Sequence, residues 1–428
     1  MRKNYSKEHQ ITLRNATMLI GLILLTTSIV KTNSITATAY RAMIVSVVFL
    51  AITIVLHSGW ISRFVNTKMF FAILLFFLYV GFFSSIEHGV STTVGALMSQ
   101  VTYFIGIPLL FACIFRNVSE KILGLTFTAV LIPWLYENVL VIRLCLTNPN
   151  IGRLISAHTA DFSLVSYIGS PYGIAEGTAL LAIAIFRFAT DREYPIKNWI
   201  RGFLILLVGI LLFAVYQTQS TITSLILIVF LIAILIMNII RGDYSRRAKT
   251  ISLFLFIAAL LFIIFRYQIG LFLISRFTGS RTIFDIRMVE IGQLLSGHRS
   301  SNDIQARLDL LSQSWNTIWV HPLFGNLYNG GSVSGEHCHV LDVLSDYGLM
   351  GGIPYLLIYY YFIKLVKKHV ENVDRFLWLP VVIMSLLNPL RIYQTYYSMF
   401  FLTPLCYLYF YKAKQAYKVS LEEDSRER

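Results

Sequence analysis

Long apolar runs of about 20 residues recur along nearly the whole chain, and shorter polar segments separate them. Residues 204–213 and 225–236, for example, are drawn almost entirely from Leu, Ile, Val, Phe, Ala and Gly. A bilayer core of about 30 Å is crossed by about 20 apolar residues in a helix. The pattern therefore predicts an all-α polytopic membrane protein.

About twelve transmembrane helices are predicted, with both termini on the same side. Their bounds are 15–33, 40–57, 69–86, 94–115, 121–143, 172–189, 200–217, 222–240, 250–270, 347–365, 376–393 and 395–412. We treat residues 1–428 as one membrane domain. Residues 271–346 then form a large extracytoplasmic loop between spans 9 and 10, and so long a loop is usually functional.

Composition agrees with a chain embedded in lipid, since 56% of its residues are hydrophobic and only 14% are charged. The net charge of +14 does not indicate a nucleic-acid partner, because the basic residues punctuate apolar runs and form no patch interleaved with aromatics. The four cysteines include no CxxC pair, so neither a zinc ribbon nor a disulfide framework is expected. No cleavage site follows the first apolar run, which is therefore interpreted as a spanning helix.

Basic residues are distributed unequally between the two sides of the predicted membrane. If the N-terminus is cytoplasmic, that side carries roughly 25 of the 36 Lys and Arg residues, which predicts cytoplasmic termini. Apart from Lys31, the outward basic residues are all arginine: Arg41, Arg143, Arg153, Arg266, Arg276, Arg281, Arg287, Arg299, Arg307 and Arg391. Any single one could snorkel to the interface. As a set, their planar guanidinium groups favour an anionic substrate on the outer face.

The stretch GEHCHVLDVLSDYG, residues 335–348, is unusually polar for this chain. His337 and His339 share a face only if the backbone there is extended, whereas the spacing from Leu341 onward predicts a helix that becomes the tenth span. Three interpretations are a metal site, a polar helix rim and a histidine general base beside arginines. A metal site would draw on Glu336, His337, His339 and Asp342. No HExxH or DxD set accompanies them, so no metal is expected.

The loop before this stretch has its own pattern. It opens with three arginines, and apolar residues at helical spacing then run from Ile304 to Trp319. The pattern breaks at His321-Pro-Leu-Phe-Gly325, and a glycine-rich segment, 326–335, follows.

Residues 307–325, RLDLLSQSWNTIWVHPLFG, followed by His337 and by Gly348-Leu-Met-Gly351, resemble the O-antigen ligase and Wzy-type polysaccharide polymerase superfamily. That family's pattern is an arginine opening a helix, an hPlfG turn, a glycine-rich loop and a histidine eleven residues before a glycine. The resemblance covers roughly residues 295–352. Residues 169–175, GSPYGIA, match a further family segment more weakly. Two departures are Tyr172, where the family usually has Asn, and Thr221, where it commonly has Arg.

The resemblance implies glycosyl transfer from a polyprenyl-diphosphate-linked oligosaccharide on the outer face of the cytoplasmic membrane. It implies neither a metal nor another cofactor. His337 would be the base or would orient the acceptor, and Arg307 would serve the diphosphate or the acceptor pocket. Further substrate contacts would come from Arg276, Arg281, Arg287, Arg299, Arg391, His339 and Glu176. A single displacement would invert the anomeric centre.

Three functions fit these expectations. The first is polymerisation of lipid-linked repeat units into a capsule, exopolysaccharide or O-antigen. The second is ligation of a finished glycan to a lipid A core or a protein. The third is a transporter or flippase, which is disfavoured because no internal repeat is visible. The expected location is the bacterial cytoplasmic membrane, with the active site facing outward. The expected partners are membrane lipids, a chain-length regulator and a flippase.

Overall fold

The computed structural model of the protein describes residues 2–30, 45, 48–49, 52, 68–82, 120–148, 171–191, 196–218, 220–240, 261, 264–278, 283–296, 302–326, 338–367, 378–387, 395 and 397–427. These residues form helices and turns, and no strand occurs among them. The helical part of the fold prediction is therefore confirmed for the described residues.

Twelve α-helices are described. They are α1 (Arg2–Val30), α2 (Lys68–Phe82), α3 (Glu120–Thr147), α4 (Pro171–Thr190), α5 (Asn198–Gln217), α6 (Thr221–Ile240), α7 (Arg266–Phe277), α8 (Ile283–Ser296), α9 (Asn302–Val320), α10 (His339–Lys367), α11 (Leu379–Leu387) and α12 (Thr403–Glu427). A π-helix, Ser398–Leu402, leads directly into α12.

Three of the described helices are long and apolar enough to cross a membrane. They are Ile122–Thr147, Pro171–Thr190 and Asn198–Gln217. They coincide with the predicted spans 121–143, 172–189 and 200–217. Shorter apolar helices lie within three other predicted spans, at Asn15–Thr27, Lys68–Phe82 and Ile222–Asn238. The predicted spans 40–57, 94–115 and 250–270 lie mostly outside the described residues, so the total of twelve stays a prediction.

Helix α4 is the centre of the described bundle. It packs against α3, α5, α6, α12 and the π-helix, and 94% of its span is buried. A Cβ on Gly177 would lie 2.6 Å from the Trp134 ring of α3, so glycine allows these two helices to approach closely. In α5 only 28% of the span is buried. Its outer face carries exposed Phe203 and Leu206, as expected of a helix facing lipid.

Polar side chains inside this bundle bind one another. Trp134 Nε1 donates to Thr178 Oγ1 at 3.1 Å, and Thr178 Oγ1 donates to Asn138 Oδ1 at 2.9 Å. At the other end of α4, Arg187 and Asp191 form a salt bridge of 2.8 Å in which both side chains are almost completely buried. Buried polar groups in an apolar bundle are costly unless paired, so these pairs permit α4 to lie at the centre.

Helices α7 and α8 form a hairpin before α9. A Cβ on Gly270 would lie 2.6 Å from the carbonyl oxygen of Gly292, and a Cβ on Gly292 would lie 2.7 Å from that of Gly270. The two glycines thus mark a close backbone crossing. Helix α7 runs continuously through residue 271, where the sequence placed the start of the loop. The helix predicted from Ile304 to Trp319 is confirmed as α9.

Candidate active site

Helix α9 and the first part of α10 lie side by side in the same direction. Ser314 Oγ donates to Asp342 Oδ1 at 2.8 Å, and both residues are buried. Further along, the Leu349 amide donates to the Pro322 carbonyl at 2.9 Å. Pro322 lies two residues after the end of α9 and Leu349 two residues after residue 347, so the ends of the two helices are adjacent and the helices run parallel. The glycine-rich segment, 326–335, lies between the two helices in sequence.

Two glycines, Gly325 and Gly348, lie in contact where α9 and the first part of α10 end, and we call this contact the lock. Gly325 has φ 67° and Gly348 has φ 59°, a region that L side chains rarely adopt. A Cβ on Gly348 would lie 2.4 Å from the Gly325 amide nitrogen and from the Leu323 carbonyl oxygen. A Cβ on Gly325 would lie equally close to the Gly348 amide. The glycine ending the HPLFG turn and the glycine eleven residues after His337 thus require each other's bare backbone.

Gly348 also divides α10 into two helices, α10a (339–347) and α10b (349–367), because its φ 59° and ψ −165° are not helical. His339 Nε2 lies 3.0 Å from the hydroxyls of both Tyr355 and Tyr359. In one straight helix His339 and Tyr359 would be about 30 Å apart, so α10a folds back against α10b. The prediction of one helix continuing into the tenth span was wrong, because helical spacing persists on both sides of a glycine bend.

The fold-back buries a cluster of one histidine and two tyrosines. His339 is 2% exposed, and the hydroxyls of Tyr355 and Tyr359 lie 3.0 Å from each other as well as from its Nε2. Phe76 of α2 and Phe400 of the π-helix pack on the tyrosine rings. His339 was predicted to contact substrate, and the structure places it inside this cluster. It therefore ties the N-terminus of α10a to the membrane bundle.

The sequence pattern did not pair these two tyrosines with His339. Their spacing of four residues puts them on one face of α10b, which was the available signal. Their partner, however, is set by the bend at Gly348, and no local pattern indicated the bend. Gly351 allows α10b to pack closely on α2, since a Cβ there would lie 2.4 Å from the Tyr79 ring.

The start of α10a is held by an acidic side chain. Asp342 is 0% exposed, and its Oδ2 accepts a hydrogen bond of 3.2 Å from the Cys338 amide. A carboxylate near a helix N-terminus is favoured by the helix dipole and satisfies a free amide. Burial raises the pKa of the Cys338 thiol. The backbone directly after His337 is therefore buried and held by a hydrogen bond.

Arg307 lies on α9, seven residues before Ser314, so the two positions share a helix face. Because α9 and α10a are parallel, the Arg307 end of α9 and the N-terminus of α10a, which follows His337 in sequence, point the same way. Arg307 and Cys338, the first described residue after His337, therefore lie toward the same end of the helix pair. His337 itself lies outside the described residues, as does the side chain of Arg307.

The remaining predicted residues fall elsewhere. Arg276 is exposed in the last turn of α7, and Arg287 lies on α8, its side chain outside the description. Arg281, Arg299 and Arg391 also lie outside the described residues.

Glu176 is on the central helix α4, 5% exposed, and its Oε2 accepts a 2.6 Å hydrogen bond from Thr395. The π-helix that begins three residues after Thr395 is a type of segment frequent at functional sites. Its Ser398 Oγ donates to the Gly177 carbonyl at 2.7 Å. A carboxylate buried among apolar helices is costly and marks a functional position by default, and here hydrogen bonding to Thr395 offsets part of that cost.

Within the described residues, no group of three or more His, Cys, Asp or Glu side chains is placed to hold a metal ion. Glu336 and His337 lie outside those residues. The expectation of metal-free chemistry therefore stays a prediction.

The outer edge of the bend is apolar. Trp319, Leu323 and Phe324 are exposed by 68%, 54% and 45%, and Leu349 and Met350 at the start of α10b are exposed beside them. Exposed aromatic and aliphatic side chains next to a membrane helix are typical of the bilayer interface. The described part of the bend thus has an exposed apolar edge beside the predicted start of the tenth span.

Comparison of the chain with protein-family models, with curated proteins and with solved structures gives no match.

Proposed function

We propose that the protein polymerises polyprenyl-diphosphate-linked oligosaccharide repeat units on the outer face of the bacterial cytoplasmic membrane. The observation that carries this proposal is the mutual lock of Gly325 and Gly348. The lock joins the helix bearing Arg307 to the helix that follows His337, and these are the motif elements of the polymerase and ligase superfamily that the sequence resembles.

The reaction is a single displacement at the anomeric carbon of the donor. The acceptor hydroxyl oxygen forms the new glycosidic bond while the bond from that carbon to the diphosphate oxygen breaks. The hydroxyl proton passes to His337, and the lipid diphosphate leaves with both electrons of the broken bond. Arg307 and neighbouring outer arginines compensate the charge on the leaving group, since cations fixed at developing charge commonly lower a barrier by several kcal/mol.

The apolar edge of the bend supports the same proposal. A lipid-linked substrate keeps its polyprenyl chain in the bilayer and its diphosphate at the interface. A reaction centre for it must therefore sit at headgroup depth. Exposed Leu323 and Phe324 provide an edge that can lie at this depth.

The test is reconstitution of the full-length protein in vesicles that contain a polyprenyl-diphosphate-linked repeat unit and no nucleotide sugar. We expect a ladder of longer glycans, and we expect His337→Ala to reduce its formation by about 10²–10⁴-fold, the range for loss of a general base. His369→Ala is the matched control, because His369 belongs to a predicted cytoplasmic segment. EDTA is expected to leave the ladder unchanged.

Three other results would contradict the proposal. Movement of the lipid-linked unit across the bilayer without any ladder would indicate a transporter. Transfer of a glycan to added lipid A core, without elongation, would indicate a ligase. A ladder that survives His337→Ala would remove His337 from the chemistry.

A further inference from the structure

A groove of about 560 Å³ runs along α9, beside the lock. Its volume lies within the range of about 300–1,000 Å³ that small-molecule sites occupy. The residues that line it are Asp309, Ser312, Gln313, Asn316, Thr317, Val320, His321 and Asn326. Neither the catalytic residues nor the outer arginines assigned above belong to this set.

The lining is polar but carries little charge. Three side-chain amides and two hydroxyls supply both donors and acceptors, and Asp309 adds an acceptor. Lys and Arg are absent from the lining residues that the structure describes, and His321 is the one residue among them whose side chain can become a cation. A diphosphate would want fixed cations, whereas a ligand with many neutral hydroxyls matches amides, hydroxyls and a carboxylate.

The groove has a fixed floor and an open rim. Thr317 and Asn326 are buried, with 7% and 6% exposure, whereas Gln313 and Asn316 are exposed. The Asn326 amide donates to the Ser345 carbonyl of α10a at 2.8 Å. The floor is thus attached to the same lock that joins the two halves of the candidate active site.

Two exposed tryptophans lie on the neighbouring face of α9, outside the residues that line the groove. Trp315 and Trp319 lie on α9 at a spacing of four residues, exposed by 50% and 68%. Their rings meet edge to face with centroids 5.9 Å apart. An exposed indole presents a broad apolar face together with a polar N–H. Next to a row of amides and hydroxyls, such a face suits the C–H surface of a sugar ring.

We propose that this groove binds the oligosaccharide part of a glycan and holds the acceptor chain beside the reaction centre. The identity of that glycan rests on the proposed function, whereas the preference for a neutral, hydroxyl-rich ligand rests on the groove alone. Gln313 and Asn316 on the rim bind sugar hydroxyls, and Trp319 stacks on a ring.

The experiment uses the full-length protein in lipid nanodiscs. The probe is a lipid-free, phosphate-free oligosaccharide of two repeat units, released by mild hydrolysis from the surface polysaccharide of the cells that make this protein. Isothermal calorimetry is expected to detect saturable binding. Loss of one or two hydrogen bonds in Gln313→Ala and in Asn316→Ala should weaken it by about 3–10-fold each.

Matched variants separate the groove from general effects. Gln268→Ala, at an exposed glutamine of α7, is expected to leave binding unchanged. Trp319→Ala should weaken binding more than Trp319→Phe, because phenylalanine retains a ring. Pyrophosphate should not displace the oligosaccharide.

Several outcomes would overturn the groove proposal. These are absence of saturable binding, binding that is unchanged in both rim variants, and displacement by pyrophosphate. A Trp319→Ala effect confined to association with vesicles would make Trp319 a membrane anchor and would overturn its stacking role. A glycan ladder without groove-dependent binding would overturn the groove and keep the polymerase. Groove-dependent binding without a ladder would keep the groove proposal and overturn the polymerase proposal.

Discussion

Two regions of the molecule hold buried polar side chains, and they differ in whether the neighbouring polar residues are enclosed or exposed. Around α4, Trp134, Thr178 and Asn138 form a chain of hydrogen bonds within the bundle. Around α9 and α10a, Ser314 and Asp342 are equally buried, but the polar residues next to them open into a groove. The first arrangement is closed, and the second borders solvent.

The difference indicates what each region is for. In the closed region, polar atoms bind each other, so their contribution is to packing and helix position. In the open region, buried polar contacts hold the backbone while exposed polar side chains remain able to meet a ligand. Substitutions at the paired residues Thr178 and Asn138, and at Arg187 and Asp191, should therefore change stability alone, whereas substitutions around α10a should change activity as well.

The largest expected effect comes from breaking the buried ion pair of α4. Asp191→Ala leaves the Arg187 guanidinium without its 2.8 Å partner in a site where it is 0% exposed. Removing one member of a buried pair typically costs about 3–5 kcal/mol. Thermal unfolding in detergent should therefore shift strongly, whereas turnover per folded molecule should not change.

The double variant Arg187→Met/Asp191→Leu is the control, because replacing a whole buried pair by apolar side chains is often neutral. It should recover much of the lost stability. If Asp191→Ala unfolds at the wild-type temperature, the pair does not stabilise the bundle. If the variant stays folded but loses turnover, the assignment of this region to packing alone is wrong.

The second largest effect is expected at the lock. Gly348→Ala places a Cβ 2.4 Å from the Gly325 amide in a backbone region that is almost confined to glycine. Strain of this kind costs about 1–3 kcal/mol, and overpacking adds about 1–3 kcal/mol. Both the unfolding temperature and glycan elongation should fall, because the helix that follows His337 must shift.

Gly209→Ala on α5 is the matched control, since nothing lies within 4 Å of its Cβ. It should be neutral or stabilising, because alanine is favoured over glycine in a helix by about 1 kcal/mol. A Gly348→Ala protein with wild-type elongation would refute the claim that the lock positions the site.

The lock also shows how far the sequence could be interpreted. Apolar runs identified the helices at 172–189 and 200–217 because span length depends on composition alone. They did not indicate that α4 is central and α5 peripheral. The small and polar residues of α4, such as Gly177, Thr178 and Arg187, indicated a buried helix. The mean hydropathy of a span does not show such residues individually.

For the candidate site, the HPLFG turn and Gly348 were found as a pattern, but their mutual contact was not. Positive φ at two glycines 23 residues apart is a tertiary property, and no local spacing encodes it. The same bend brought Tyr355 and Tyr359 to His339. Residues on one helix face could therefore be predicted, whereas partners across the fold-back could not.

A smaller effect is expected in the histidine–tyrosine cluster. Tyr359→Phe removes one hydroxyl while Tyr355 and His339 remain 3.0 Å apart, so stability should fall by only about 1 kcal/mol. Elongation should fall further, because His339 holds the start of α10a. We expect a lower kcat with little change in KM. Tyr360→Phe, at a neighbouring side chain that is 56% exposed, should change neither. Equal effects of the two variants would show that the cluster does not position the site.

The smallest expected effect is on the alkylation rate of Cys338, which tests whether the start of α10a is buried and fixed. Burial raises the pKa of the Cys338 thiol, and only the thiolate is alkylated. In a variant that keeps Cys338 and has serine at the other three cysteines, iodoacetamide should react slowly at pH 8, and the rate should keep rising above pH 9. The pKa of the Cys338 thiol is higher in the folded protein than in the unfolded chain. The contribution of the buried neutral thiol to the free energy of unfolding is therefore complete at neutral pH and is lost as the pH rises through the folded-state pKa. Gly348→Ala, introduced into the same background, should accelerate the reaction at pH 8 by releasing α10a. Rapid alkylation of Cys338 at that pH, in the protein that keeps Gly348, would mean that the backbone after His337 is open. The distinction between a fixed backbone and an accessible groove would then fail.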